Sequence, residues 1–265
     1  MTAWMPREPI LIATVAFLGL CLGSFLNVVI YRVPRGMSVV RPRSRCGSCG
    51  RPVRPWDNVP VLGWFWLRGR CRDCRASISF RYPAIELLGG CFALIAVFAF
   101  PRPVESLVAF WMLFSLLAVF FIDLESRIIP DEISLGGTLL GLALSHWTVG
   151  FVEALAAAAT GAATLFLLGW FYQKTRGRAG MGMGDVKLAA MLGALLGFPG
   201  LLLTVILASF LGSAVGLAMM ALRRADGATA LPFGSFLAPA AMVVLLWGPR
   251  LWEWYLGFFP HAGGV

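Results

Sequence analysis

The chain has 265 residues, of which 59% are hydrophobic and 13% charged, where a typical globular chain has roughly 45–50% and 25%. That balance excludes an ordinary soluble enzyme; the chain is also too apolar for disorder, too aperiodic for collagen or a coiled coil, and too long for six Cys to mark a small disulfide scaffold. The net charge of +9 raises nucleic acid as a partner, so the placement of the charges matters more than their sum.

A bilayer core requires about 20 mostly apolar residues per helix. In chain order this predicts eight spans: about Ile10 to Ile30, Ala84 to Phe100, Ser106 to Ile122, Ile133 to Thr148, Val152 to Phe171, Val186 to Gly197, Gly200 to Ala221 and Phe236 to Trp247. Breaks are expected at Pro101-Arg102-Pro103, Pro130-Asp131 and Pro199-Gly200, because Pro ends the preceding helix. The fold class expected is an all-α integral membrane protein with about eight transmembrane helices. Its expected divisions are a first span over 1–31, a basic loop over 32–83, and a seven-helix membrane domain over 84–265.

Residues 32 to 82 hold twelve of the twenty-two basic side chains, opposed only by Asp57 and Asp73. Trp56, Trp64, Phe65 and Trp66 interleave aromatics with these arginines, yet a basic loop joined directly to apolar spans reads as a topogenic, lipid-facing segment rather than a nucleic-acid surface. Assigning the loop to the cytoplasm puts nineteen of the twenty-two basic residues on that side and leaves only Arg7, Arg102 and Arg250 opposite. Both termini are then expected outside. The first span is too long and Gly-rich for a cleaved signal peptide, and no internal repeat stands out.

Within the loop, Cys46-Gly47-Ser48-Cys49 and Cys71-Arg72-Asp73-Cys74 form two C-x2-C pairs separated by twenty-one residues. Four soft ligands at this spacing suit a structural, tetrahedral Zn²⁺. A dithiol redox pair is the alternative. Cys21 and Cys91 lie inside apolar spans and are expected to be small packing residues.

The acidic residues give the second signal. Asp123 ends the third span and Asp185 opens the sixth, after Gly182 and Gly184. An ionisable residue at membrane depth is costly and marks a functional site by default. By the parity of the spans both carboxylates reach the cytoplasmic face, where one could act as base on a water while the other, kept neutral, acts as acid. The blander readings are Asp185 as a helix N-cap and Asp123 as an interfacial charge beside Arg127. Lys187 either tunes Asp185 or reaches lipid headgroups, with headgroups favoured. Asp131 is expected to cap the fourth span with Glu132 in its first turn, and Glu86 and Glu125 are weaker candidates for positioning substrate or pairing with Arg.

With these residues in place the chain resembles the bacterial prepilin peptidases, the type IV leader peptidases of pilus and type II secretion systems. The resemblance runs through Gly23-Ser24-Phe25-Leu26-Asn27-Val28-Val29-Ile30-Tyr31-Arg32, Asn58-Val59-Pro60-Val61-Leu62-Gly63-Trp64, the cysteine loop, Ile78-Ser79-Phe80-Arg81-Tyr82-Pro83 and Glu86-Leu87-Leu88. It continues through Asp123, Ile129-Pro130-Asp131, Gly182-Met183-Gly184-Asp185-Val186-Lys187 and Leu231-Pro232-Phe233-Gly234. The resemblance implies a membrane aspartic endopeptidase of the bacterial inner membrane. It removes the short basic leader of prepilin or pseudopilin precursors at the cytoplasmic face, usually between Gly and Phe, and often methylates the new N-terminal amine with S-adenosylmethionine.

Carried over position by position, Asp123 and Asp185 match the catalytic pair, Gly182 and Gly184 its flanking glycines, and Cys46, Cys49, Cys71 and Cys74 the zinc cluster. No local S-adenosylmethionine fingerprint of the Gly-rich soluble kind is visible, so the methyl-donor site is unassigned and methylation rests on the resemblance. Expected partners are the precursors and membrane lipids, with no nucleic acid. A carrier that uses intramembrane Asp residues as a proton relay, and a zinc-stabilised membrane adaptor, are the other classes these residues allow.

Overall fold

In an apolar solvent a chain must satisfy its backbone polar groups within itself, and long apolar stretches therefore fold as helices. The computed structural model describes residues 8–177, 181–222 and 231–258; Arg7, Arg178, Arg223 and Arg224 of the charge count lie outside them. Each of the eight predicted stretches lies on a helix: α1 (Pro9–Arg32), α3 (Arg81–Ala99), α4 (Pro103–Ser126), α5 (Asp131–Leu144), α6 (Phe151–Arg176), α7 (Met183–Ala221) and α8 (Gly234–Leu256), with a five-residue α2 (Leu62–Trp66) in the basic loop. The described residues contain no strand beyond two isolated bridges.

Six of these helices are long and apolar enough to cross a bilayer, two fewer than the eight spans expected. The reason is geometric. At 1.5 Å per residue the 14 residues of α5 reach only about 21 Å. The sixth and seventh stretches run together as the 39 residues of α7, about 58 Å if straight. They are two helical limbs all the same, because Gly197 takes a non-helical φ of 68° and Pro199 follows it, the break expected at Pro199-Gly200.

The chain divides into two compact units, residues 1–114 and 115–265, with the boundary inside α4. In the first, α1 and α3 pack antiparallel on glycines. A Cβ on Gly19 would lie 2.6 Å from the Gly89 carbonyl oxygen, and one on Gly23 would lie 2.7 Å from the Glu86 Cα. This close approach lets dispersion and backbone contact hold helices that no hydrophobic effect drives together in lipid. Cys91 is exposed on α3 rather than packed in its core.

In the second unit the same device joins α6 to α7, where a Cβ on Gly193 would lie 2.5 Å from the Ala157 carbonyl, and α5 to α7, where one on Gly141 would lie 2.9 Å from the Ala194 Cβ. Ile122, Leu188, Met191, Leu192 and Leu237 are fully enclosed there, while Phe166, Leu167, Phe171, Phe210 and Leu217 point outward and exposed. A soluble protein does not present so large an apolar exterior.

Candidate active site and metal centre

The loop of the first unit has almost no interior: between residues 33 and 80 only Gly63 and Gly69 are buried. Its order comes from two hairpin knuckles built on one plan, twenty-five residues apart. In the first, the Cys46 N–H donates to Arg51 O (2.9 Å), the Gly50 N–H donates to Cys46 O (2.9 Å), and Arg45 bridges Pro52. In the second, the Cys71 N–H donates to Ala76 O (2.8 Å), the Arg75 N–H donates to Cys71 O (3.1 Å), and Arg70 bridges Ser77. The sequence shows no repeat because only the cysteines and the leading arginines coincide. Gly50 and Arg75 occupy equivalent left-handed positions, at φ 70° and 61°.

The knuckles bring the Sγ atoms of Cys46, Cys49, Cys71 and Cys74 within 4.8 Å of one another, with Cys46 and Cys74 3.7 Å apart. Four thiolates about 2.3 Å from one tetrahedral ion would stand about 3.8 Å apart. The donor set therefore fits zinc. The loop's two acidic residues are both taken by arginines, Asp57 by Arg72 (Nε to Oδ2 2.8 Å) and Asp73 by Arg51 (3.2 Å). The Arg72 hydrogen bonds hold the Asp57 carboxyl below its usual range.

In the second unit, Asp123 sits in the last turn of α4 and Asp185 in the first turn of α7, both buried. The start of α8 lies between them. The Ser235 N–H (2.6 Å) and Ser235 hydroxyl (2.9 Å) both donate to Asp123 Oδ2. Gly234 packs so closely that a Cβ there would lie 3.0 Å from the same oxygen and 2.8 Å from Ile129 Cδ1. The Asp185 carboxylate lies against Gly182, where a Cβ would stand 3.5 Å from its Oδ2, and near Gly234 and Asp123. Gly184 packs on Ile129, whose Cβ a side chain at 184 would meet at 3.0 Å. The two carboxylates thus converge on Gly234, with glycines on three sides.

Of the residues singled out from the sequence, Asp123, Asp185, Gly182 and Gly184 come together here. Lys187 does not join them. Its ammonium pairs with both oxygens of Asp131 at 2.7 and 2.8 Å and not with Asp185. Asp131 itself is not an N-cap: Pro130 occupies that position, and Asp131 is the first residue of α5. Asp185 lies two residues inside α7, where Gly182 stands at the cap. Glu86 takes a backbone N–H, that of Val61, at 2.7 Å. Ser235 and Ile129 were not anticipated as site residues, although Ser235 directly follows Leu231-Pro232-Phe233-Gly234 and is the first side chain after that glycine able to donate.

Comparison with known proteins places the chain in a family. The Bacterial Peptidase A24 N-terminal domain profile matches residues 17–100 and the Type IV leader peptidase family profile matches residues 107–217. Proteins named prepilin leader peptidase/N-methyltransferase are similar over most of their length: one from Pseudomonas putida is 37% identical over 95% of this chain and 97% of its own. Another from Aeromonas hydrophila is 36% identical over 91% and 92%, and one from Burkholderia pseudomallei (strain 1026b) is 38% identical over 87% and 84%. No solved structure gives a significant match. With both matched regions in order and relatives at 36–38% identity aligned over most of either chain, the chain belongs to the type IV leader peptidase family.

Proposed function

We infer that this chain is a prepilin leader peptidase and N-methyltransferase: a multi-pass protein of the bacterial inner membrane that cleaves the leader from pilin-like precursors and methylates the amine so exposed. The observation that carries the peptidase is the convergence of Asp123 and Asp185 on Gly234. Ser235 donates twice to Oδ2 of Asp123 and leaves Oδ1 to a water, so Asp123 is the base and Asp185 the acid. Asp123 takes a proton from the water as its oxygen attacks the scissile carbonyl, and Asp185 protonates the carbonyl oxygen; Asp123 then passes its proton to the amide nitrogen while Asp185 takes back the hydroxyl proton, so the C–N bond breaks, the amine leaves and both carboxyls return to their starting states.

The nineteen-to-three division of basic residues supports a cytoplasmic location for both the loop and the aspartates, and contact of the loop with anionic lipid rather than nucleic acid. Cys46, Cys49, Cys71 and Cys74 hold one zinc ion, whose contribution is to fold the loop. S-adenosylmethionine supplies the methyl group.

The test is to incubate the purified protein with a prepilin peptide and read product masses with and without S-adenosylmethionine. Cleavage at the leader junction, with a further 14 Da (about one CH₂) only when the donor is present, is expected. An intact peptide throughout would overturn the assignment.

A further inference from the structure

The aspartate pair leaves the methyl-transfer half of the reaction without residues, and the first unit contains a polar cluster that cleavage does not use. Glu86, half-buried on α3, accepts the Val61 N–H on Oε2 at 2.7 Å, and the Ser24 side chain lies beside the same carboxylate. One turn along the α1–α3 contact, Asn27 is 4% exposed. Its amide nitrogen donates to Tyr82 O at 3.1 Å and to Gly23 O at 3.4 Å. Its Oδ1 is enclosed with no donor at all, and a buried acceptor left unpaired is costly.

The backbone at this point is strained as well. Val61 sits at φ 61°, ψ −55°, with the Leu62 N–H donating to Pro60 O at 2.6 Å. That is a tight γ-type turn, which a β-branched residue adopts only when its surroundings force it. Such strain concentrates where a ligand is held.

The charges point the same way. Asp57 and Asp73 in the adjoining loop each have an arginine, yet among the described residues no cation sits on Glu86. The one charge that α1 brings to its loop end, Arg32, donates instead to Ser38 O (2.9 Å) and Pro42 O (2.7 Å). The cluster thus offers a carboxylate without a counter-ion and an orphan amide oxygen, both acceptors. The matching ligand is a compact cation rich in N–H donors. A primary ammonium has three; a sulfonium has none.

We propose that Ser24, Asn27 and Glu86 seat the methyl-accepting N-terminal amine, Glu86 removing its proton before transfer. This rests on the N-methyltransferase reading. Glu86 takes a proton from the bound ammonium; the freed nitrogen lone pair attacks the S-adenosylmethionine methyl carbon; the N–C bond forms as the C–S bond breaks, and the sulfur leaves as a neutral thioether. The methylated ammonium carries the positive charge away.

The experiment uses the full-length purified protein, a pre-cleaved peptide with a free N-terminal Phe, and labelled S-adenosylmethionine. Glu86→Gln is expected to cleave prepilin within about twofold of wild type and to keep its zinc. Its methyl transfer should fall roughly 10²-fold at pH 7, the lower end for loss of a general base. The deficit should shrink as pH rises past the ordinary α-amino pKa of about 8, where the peptide supplies free amine unaided. Glu86→Asp, retracted by one methylene, should lose transfer in part while the KM for S-adenosylmethionine stays fixed.

Wild-type transfer by Glu86→Gln would overturn the proposal, as would a rise in the KM for S-adenosylmethionine alone, which would give the cluster to the donor. Joint loss of cleavage, zinc and transfer in both variants would reduce Glu86 to a staple for the loop and equally overturn it. Absence of transfer by the wild-type protein would instead sink the methyltransferase reading itself.

Discussion

The cysteine loop and the aspartate site reach order by opposite routes. From residue 33 to 80 only two glycines are buried, so the loop has no core to fold around and depends on four thiols and a few ion pairs. The aspartate site has no short-range motif that closes on itself. Its two carboxylates stand sixty-two residues apart, and they meet because α4, α7 and α8 pack through glycine and a filled apolar core. With zinc on the four thiols as proposed, one region is stabilised by ligation and the other by packing, and a change that is severe in one should be mild in the other.

The largest expected effect is on the ligated side. Structural zinc contributes on the order of 10 kcal/mol to folding in small zinc domains, so Cys71→Ser should release the metal and open the loop. Metal analysis and limited proteolysis would read this as zinc loss with cutting confined to residues 33–80. Cutting in α5–α8 of the same protein would show that the two regions are not independently ordered.

Asp123→Asn or Asp185→Asn is the counterpart on the packed side. Each should lower prepilin cleavage by roughly 10²–10⁴-fold, the scale of general acid–base catalysis, and the double variant should add little because the pair acts as a unit. Zinc content should not change. Substantial cleavage by folded Asp123→Asn would move the search to Glu125 or Asp131.

Ser235→Ala sharpens the contrast further. It removes one charge-assisted hydrogen bond and leaves the backbone donor in place, so about 1.5–3 kcal/mol, roughly 10–100-fold in kcat, should be lost with KM little changed. Ser235→Thr should recover part of it. An equal fall in kcat and protein yield, unrelieved by Thr, would show that the hydroxyl merely holds α8 in place.

The smallest effect returns to the loop. Arg75 occupies the left-handed position that Gly50 fills in the other knuckle, and such a position costs a non-glycine residue about 1 kcal/mol. Arg75→Gly should therefore raise the loop's resistance to chelators slightly. A lowered resistance would mean that the Arg75 side chain contributes more than its backbone loses.

The sequence by itself determined the helical class, the eight apolar stretches, the thiol quartet and the two aspartates, because each is written in local composition or spacing: runs of twenty apolar residues, a paired C-x2-C, a carboxylate where carboxylates are costly. Tertiary structure alone decided how those pieces were used. It turned the sixth and seventh stretches against each other at Gly197 and left α5 too short to cross alone. It drew Lys187 onto Asp131, and it delivered Ser235 from one hundred and twelve residues away to the Asp123 carboxylate. The physical reason is common to all of these: a hydrogen bond or an ion pair between distant segments depends on which helices approach closely, and that depends on where glycines let two backbones touch.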